Sequence, residues 1–554
     1  MRRTIHNMIL LNSKEQKIRD LLIDFCNEYN QQTNNKDPLE LRISGGWVRD
    51  KLLGLESHDL DIAINTLLGE EFVTELEKYV GKYRPELKME TFHTIKKNPE
   101  KSKHLETCTT KLFDMDIDFV NLRSEEYSNE SRVPIVRFGT AEEDALRRDA
   151  TLNALFYNMN KDEIEDYTKT GIEDLQNGIL RTPLAPLQTF LDDPLRVLRM
   201  IRFASRFSFI VDPTVLEAMA NKEIKDTLLF KISRERVGVE VEKMLISRHP
   251  EYGLKLINYG GLSECIFSPG GEMLTLIENV NDKSVLDNID LITQHIPKYL
   301  NLVANLYHPV FETGLNDYPR LKRIFQATLD DPLSIKIFWY SSILQPYDGL
   351  QVKTNPKKIN SYTPLSLLIV RDGLKLGKHH FEPVGKITQG FESQRPILER
   401  YFRDPQVIKR SDLGNYMRYF GSYSSINILV NCFSDVVEAV QNVVGEDNEE
   451  VKISIPDPHT MTDLPVDDDK LFKPIQKVLY DYDHFIKALE GLKLMEAHNI
   501  KHLVDGKTLM KVLGRKPGPW MAKTLDVVMT WQLDNPEGTE EACVEYIKHL
   551  IPEK

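Results

Sequence analysis

Residues 41–64 read LRISGGWVRDKLLGLESHDLDIAI, and the alternation within them decides the fold. Leu41 and Ile43 alternate as a half-buried strand, which runs into Gly45 and Gly46. Val48 and Leu52 then follow at helical i, i+4 spacing, and Gly54 closes the helix. In HDLDIAI the apolar Leu60, Ile62 and Ile64 point to one side of a second strand, so Asp59 and Asp61 share the other, roughly 7 Å apart. Two carboxylates that close repel each other unless a cation lies between them. A hard, oxygen-seeking divalent ion such as Mg²⁺ fits, and Gly45 and Gly46 offer backbone amides to a phosphate. Alone, a DxD reads as an exposed turn and a glycine pair as nothing more than a turn. Joined in one strand, turn, helix and strand, with Arg49 just after the glycines, they point to a site that handles phosphate and metal.

Working outward, residues up to about 35 read as an amphipathic helix through Ile18, Leu21, Leu22 and Phe25. The start is basic with no acidic residue before Glu15, which fits a mitochondrial presequence and an ordinary first helix alike. Residues 70–83 read as a helix, 85–94 as a strand, and 96–103 (KKNPEKSK) as a charged loop over the site or a surface hairpin. DMDIDFVNLR, at 114–123, alternates again. One of Asp116 and Asp118 is a candidate third carboxylate, and Asp118 joins Asp59 and Asp61 in the candidate catalytic set, with a structural role as the alternative. Residues 146–158 (LRRDATLNALFYN) are expected to begin a helix. Arg147 and Arg148 near its positive end suit phosphate oxygens or, more plainly, surface ion pairs. In 191–207 (LDDPLRVLRMIRFASRF), Pro194 suits a first helical position and Asp193 an N-cap. Asp192, Arg196, Arg199 and Arg206 line one face, and Leu195, Leu198 and Ile201 the buried side.

A chain of 554 residues is too long for one ordinary core, so several domains are expected. A formal charge of −13 argues against a surface coated in basic residues, and leaves room for local basic patches that bind RNA. Five cysteines without CxxC spacing indicate neither a zinc site nor a disulfide framework, and the chain reads as intracellular. No apolar run approaches the length of a bilayer, which excludes a helical membrane protein and any membrane partner.

GGWVRDKLLG followed by DLDI resembles the polymerase β-like nucleotidyltransferases, in the branch of class II CCA-adding enzymes and bacterial poly(A) polymerases. RRDATLNAL is similar to a second motif of that family, and DDPLR to its EDxxR, with Asp192 in place of Glu. The resemblance implies an α/β nucleotidyltransferase head (mixed sheet with helices) followed by all-α neck, body and tail domains. The expected bounds are an N-terminal extension at 1–37, head at 38–185, neck at 186–270, body at 271–445 and tail at 446–554. It further implies that Asp59 and Asp61 hold Mg²⁺, and that the tRNA 3′-hydroxyl attacks the α-phosphate of CTP or ATP to add CCA with release of pyrophosphate. Gly45, Gly46, Arg49 and Arg148 would orient the triphosphate, Asp149 and Asn153 the ribose, and Arg199 and Arg202 would add nucleotide contacts.

Base choice would fall to Asp193 and Arg196. A carboxylate accepts from an exocyclic amine while an arginine donates to a ring nitrogen, a pairing that cytosine and adenine offer and uracil and guanine reverse. The partners implied are tRNA, gripped at acceptor stem and elbow, and the two nucleotides, with no protein partner inferred. Lys507, Lys511, Arg515, Lys516 and Lys523 around the KPGP turn at 516–519, with an exposed Trp520, are the expected RNA contact of the tail. Residues 447–465 read as a linker, and His379 and His380 as structural. Cytoplasm and nucleus with a mitochondrial pool are the expected locations. A poly(A) polymerase and a non-catalytic RNA-binding protein are the rival readings.

Overall fold

The computed structural model describes residues 5–6, 8–33, 36–57, 60–87, 93–95, 107–128, 131–355, 357, 361–444, 456–458 and 469–550. The chain divides into two compact units, Met1–Leu262 with Asp457–His459, and Ser263–Pro456 with Thr460–Lys554.

The first unit opens with helix α1 (Ser13–Thr33), which buries Ile18, Leu21, Leu22 and Phe25 as its spacing requires. Strand β1 (Leu41–Ser44), helix α2 (Gly46–Leu52) and strand β2 (Leu60–Ile64) follow, then α3 (Gly69–Tyr83). Strands β3 (His93–Ile95), β4 (Thr107–Leu112), β5 (Met115–Asn121), β6 (Arg123–Ser128) and β7 (Ser131–Phe138) lead to α4 (Ala141–Leu146), β8 (Phe156–Asn158) and β9 (Glu163–Glu165). The main sheet has the order β3-β4-β5-β2-β1-β8-β9. It is mixed, since β2 and β5 run parallel while its other pairs are antiparallel. One face is closed by α1 and α3, where Phe72 meets Phe119 at 4.7 Å and Phe25 at 5.3 Å between ring centroids. On the opposite face, α4 covers the end around Ala63 and Phe156.

Two local expectations give way to tertiary structure. Residues 146–158 are not one helix. The helix starts earlier, at a capping box in which Glu143 N–H donates to Thr140 Oγ1 (3.2 Å) and Thr140 N–H to the Glu143 carboxylate (2.7 Å), and it ends at Leu146. Arg147 and Arg148 therefore sit at a helix C-terminus, where cations are favoured, and not at an N-terminus. A single 3₁₀ turn (Thr151–Asn153) follows, and Phe156 to Asn158 extend because β1 pairs with them. Of the strand expected over 85–94, Pro85 to Leu87 form a turn and His93 and Thr94 fall in β3, while residues 88–92, like 96–103, lie outside the described residues.

The connector is α5 (Gly171–Asn177) with Gly178 in the left-handed conformation (φ 67°), then β10 (Ile179–Leu180), which pairs in parallel with β11 (Ile210–Val211). Helix α6 (Pro186–Asp192) stops before Asp193, whose extended φ of −142° is what a residue preceding proline adopts, and α7 (Leu195–Phe207) begins after Pro194. Asp192 thus belongs to the helix before the arginines. Helices α8 (Pro213–Met219), α9 (Lys222–Phe230), α10 (Arg234–Leu245) and α11 (Pro250–Tyr259) complete the unit, with α10 and α11 packed on α7.

Among its described residues the second unit is almost wholly helical, with one short ladder of Gln351–Lys353 on Tyr362–Pro364. Its longest helices are Lys283–Tyr307, Lys378–Arg403, Ser424–Val444 and Asp469–Gly491. Phe311, Phe325, Phe338 and Phe433 pack together in its core. Residues 445–455 and 459–468, most of the expected linker, lie outside the description. Among the described residues no helix is long and apolar enough to cross a membrane.

Candidate nucleotide and metal site

Parallel pairing of β2 with β5 sets Asp61 opposite Asp118, on strands about 4.8 Å apart. Leu60, Ile62 and Ile64 are buried while Asp61 is exposed, as the alternation demands. Asp118 is half-buried and accepts a hydrogen bond from Thr109 Oγ1 (2.5 Å), whereas Asp116 lies two residues along and registers with Lys111. Of the two candidates for a third carboxylate, Asp118 is the one aligned with Asp61. Asp59 lies outside the described residues. Among the described residues no cluster of three or more metal-ligating side chains assembles, so the donor set visible here is the Asp61 and Asp118 pair, oxygen throughout.

The glycine turn sits beside this face, at the end of β1. Gly45 has φ 73°, and a Cβ placed on it would come within 3.0 Å of Arg148 Nη1, so glycine both permits the turn and leaves room for the guanidinium. Arg148 donates to Asp144 through Nε (3.0 Å) and Nη2 (2.7 Å), and to the Asn153 carbonyl through Nη1 (3.2 Å). Asp144, buried on α4, also accepts from Arg147 (2.8 Å). Burial would raise its pKa, but Arg148 and Arg147 together hold the carboxyl at about 2.

Arg49 is directed inward. It is 4% exposed, donates to Asp50 (2.8 Å) and to Asn153 Oδ1 (2.5 Å), and lies 4.7 Å from the Phe207 ring centroid and 5.7 Å from that of Phe203. Burial depresses its pKa, with Asp50 acting in the opposite sense. Asn153 in turn donates to Asp149 (3.1 Å), which accepts from Arg199 Nε (2.6 Å). Against burial, Arg199 and Asn153 keep Asp149 well below the usual carboxylate range, and Asp149 raises the pKa of Arg199. Glu240 of α10 meets Arg202 Nε (2.5 Å) and Arg199 Nη1 (3.8 Å). A continuous line of buried and half-buried charges and amides thus runs from α2 through the 3₁₀ turn to α7 and α10.

Asp193 Oδ1 accepts from Leu195 N–H (3.1 Å), the capping bond expected of it, while Oδ2 accepts from Arg236 (2.9 Å). Arg196, one turn later, reaches the Thr189 carbonyl (3.4 Å) and Glu125 of β6 (3.6 Å).

Sequence reasoning missed Asp50, Glu125, Asp144, Phe207 and Glu240. Asp144 stands four residues before Arg148, a readable i, i+4 pair once the helix is placed correctly. Glu240, polar within the apolar register of α10, gave a weak signal, and Glu125 in an ordinary-looking strand gave none.

In the second unit, Lys507, Lys511, Lys516 and Lys523 are exposed around the KPGP turn. Trp520 is not the exposed ring expected. It is half-buried against the core of the last three helices, with Nε1 donating to the Lys516 carbonyl (2.8 Å), because the turn folds it back. Lys378, His379, Glu382, Lys386 and Tyr423 line an open cavity of about 450 Å³.

A mixed sheet bearing register-paired aspartates beside a glycine turn, continued by a helical neck, defines a polymerase β-like nucleotidyltransferase. Residues 41–181 match the family described as "Poly A polymerase head domain", and residues 208–273 that described as "Probable RNA and SrmB- binding site of polymerase A". The mitochondrial CCA tRNA nucleotidyltransferase of Saccharomyces cerevisiae is 42% identical over 98% of this chain and 94% of its own, and tRNA nucleotidyltransferase cca2 of Schizosaccharomyces pombe is 33% identical over 99% and 100%. The chain belongs to the class II CCA-adding tRNA nucleotidyltransferase family. Among solved structures, the Bacillus stearothermophilus CCA-adding enzyme in complex with CTP matches with a TM-score of 0.52 at 16% identity, over 98% of each chain. The Thermotoga maritima enzyme complexed with tRNA_CCA matches with 0.51 at 17%, over 98% of this chain and 96% of that one, and both establish likeness of fold.

Proposed function

We propose that this protein adds C, C and A to the 3′ end of tRNA from CTP and ATP, releasing pyrophosphate. The observation that carries the reading is the register of β2 on β5, which brings Asp61 and Asp118 together next to the Gly45 and Gly46 turn. This all-oxygen pair fits a hard divalent cation, and Asp59, Asp61 and Asp118 are the residues that would hold Mg²⁺. When bound, such an ion lowers the pKa of an attacking hydroxyl and neutralises charge on the leaving oxygens.

The chain's own residues divide the remaining work. The Gly46 amide and the Arg148 guanidinium present donors to the triphosphate, while the Gly45 N–H is held by the Leu155 carbonyl (3.3 Å) and fixes the turn. Asn153 and Asp149 take the ribose, with Arg49 holding the Asn153 amide in place and Arg199 holding Asp149. Arg202, fixed by Glu240, lends further positive charge on the nucleotide side of α7. Asp193 and Arg196 read the base, and a mismatched pairing there costs on the order of a few kcal/mol, enough to reject UTP and GTP.

We assign the head to 38–185, the neck to 186–270, the body to 271–445 and the tail to 446–554. The exposed lysines of the tail, and the basic cavity around Lys378 and Lys386, are where the tRNA backbone is gripped, by shape and charge more than by sequence. Two relatives named as mitochondrial support a mitochondrial pool, and we place further pools in the cytoplasm and nucleus. Purified protein incubated with Mg²⁺, CTP, ATP and a tRNA lacking its 3′ end, followed by sequencing, tests the reading. Addition of CCA supports it, and a long A tail moves the assignment to poly(A) polymerase.

A further inference from the structure

Helix α2 is only seven residues long and has no side-chain N-cap, yet both the glycine turn and Arg49 depend on its placement. An isolated helix of two turns is not stable, so its angle must be set by its neighbours. One face turns toward α7 through Arg49. The opposite face carries Trp47 and Lys51, at i and i+4, and both end on one carboxylate, Glu15 of α1.

Glu15 is a rare residue for its surroundings. Its side chain is 1% exposed, and it lies in the first turn of the helix that begins the unit. Oε2 accepts from Lys51 Nζ (2.7 Å) and from the Asn12 N–H (2.7 Å), and Oε1 from Trp47 Nε1 (3.2 Å). Lys51 Nζ also lies 5.4 Å from the Trp47 ring centroid, so the two α2 residues are packed on each other as well as on Glu15. Nearby the His6 N–H donates to the Leu52 carbonyl (3.0 Å), tying the far end of α2 to the same N-terminal segment.

A buried ion pair is weak support for stability as such, because desolvating both ions offsets most of their attraction; what it gives is geometry. Here that geometry is the tilt of α2, and with it the aim of the Gly46 amide at its N-terminus. We propose that Glu15 is a positioning residue for nucleotide binding, acting through Trp47 and Lys51 to hold α2 and the glycine turn at the angle that receives the triphosphate. The inference rests on the nucleotide-site reading above. It makes the N-terminal helix part of the catalytic head and not an appendage to it.

The test uses the full chain and compares Glu15→Ala, Lys51→Met and the double variant with wild type, measuring thermal stability and the KM and kcat for CTP on tRNA ending in C. Each single variant strands one charge, so both lose stability. The double variant strands none and recovers most of it. If Glu15 positions α2, the KM for CTP stays raised, by about tenfold or more, in the double variant although its stability has returned, because the tie to α2 is still cut. If KM returns to the wild-type value together with stability, the role is structural only and the proposal falls. It falls equally if the single variants leave KM unchanged. A wild-type protein that adds no nucleotide at all overturns the reading of the site, a different failure and one visible before any variant is made.

Discussion

The carboxylates of this head live in two opposite environments. On the β2 and β5 face, Asp61 is exposed, and its register partner Asp118 has a hydroxyl as its hydrogen-bonding partner in the Thr109 side chain. At the junction of head and neck, Asp144, Asp149 and Glu240 are buried and each is held by arginine. The first set stands at the surface of the sheet, with Asp61 exposed and Asp118 half-buried. The second pairs its charge internally, fixing the guanidinium groups of Arg148, Arg199 and Arg202. The contrast teaches that one residue type does two jobs, and that the presence of a resident cation separates them: carboxylates paired with arginine fix the geometry of the junction, and the face is where the proposed chemistry lies.

Four experiments can break or sharpen that contrast. The largest effect is expected for Asp61→Ala, which should lower CCA addition by a factor on the order of 10³ or more while moving the melting temperature little, since an exposed carboxylate carries little of the fold. A collapse in stability would place Asp61 with the junction set. Next comes Asp149→Ala, which leaves Arg199 with the more distant Glu240 (3.8 Å) and takes the acceptor from Asn153, and should cost about 1–3 kcal/mol by denaturant titration, together with a raised nucleotide KM. Retention of full stability would show that the network is not coupled as its geometry indicates.

Asp118→Asn and Asp116→Asn, differing by one step of the strand alternation, should separate in rate by about 10², with Asp118 the damaging change. Equal losses would remove Asp118 from the site. The smallest effect is in acid. Because Asp144 titrates at about 2 when folded, below its value of 3.8 in a model compound, its ion pairs stabilise the fold above about pH 4, and that contribution fades as pH falls toward 2. Wild type should therefore lose about 2 kcal/mol more than Asp144→Asn over that window, measured as the difference in their acid unfolding.

Much of the fold, and the surface placement of part of the candidate site, is legible in the sequence. The alternation at 60–64 placed Asp61 outward, the apolar spacing at 18–25 placed α1, and the proline at 194 placed the start of α7. These are local facts, in which side-chain period and proline sterics act over a few residues. Where reading failed, a distant partner had intervened. Residues 156–158 carry a helical pattern but become a strand because β1 offers them a hydrogen-bonding edge. Arg49 looks like a phosphate ligand in the sequence, yet it is turned inward by Asn153 and Phe207, residues 104 and 158 positions further on.

What the sequence determined by itself is the chemistry on offer: a glycine turn, aspartates on one strand face, arginines at helical spacing, and a family motif around each. What only the tertiary structure decided is which charges meet. Register set Asp118, and not Asp116, opposite Asp61, packing paired Glu15 with Lys51, and the neck brought Glu240 to Arg199 and Arg202. The physical reason is that period and propensity are properties of a few consecutive residues, whereas the energy of a buried charge is set by whatever lies within a few ångströms of it, wherever in the chain that comes from.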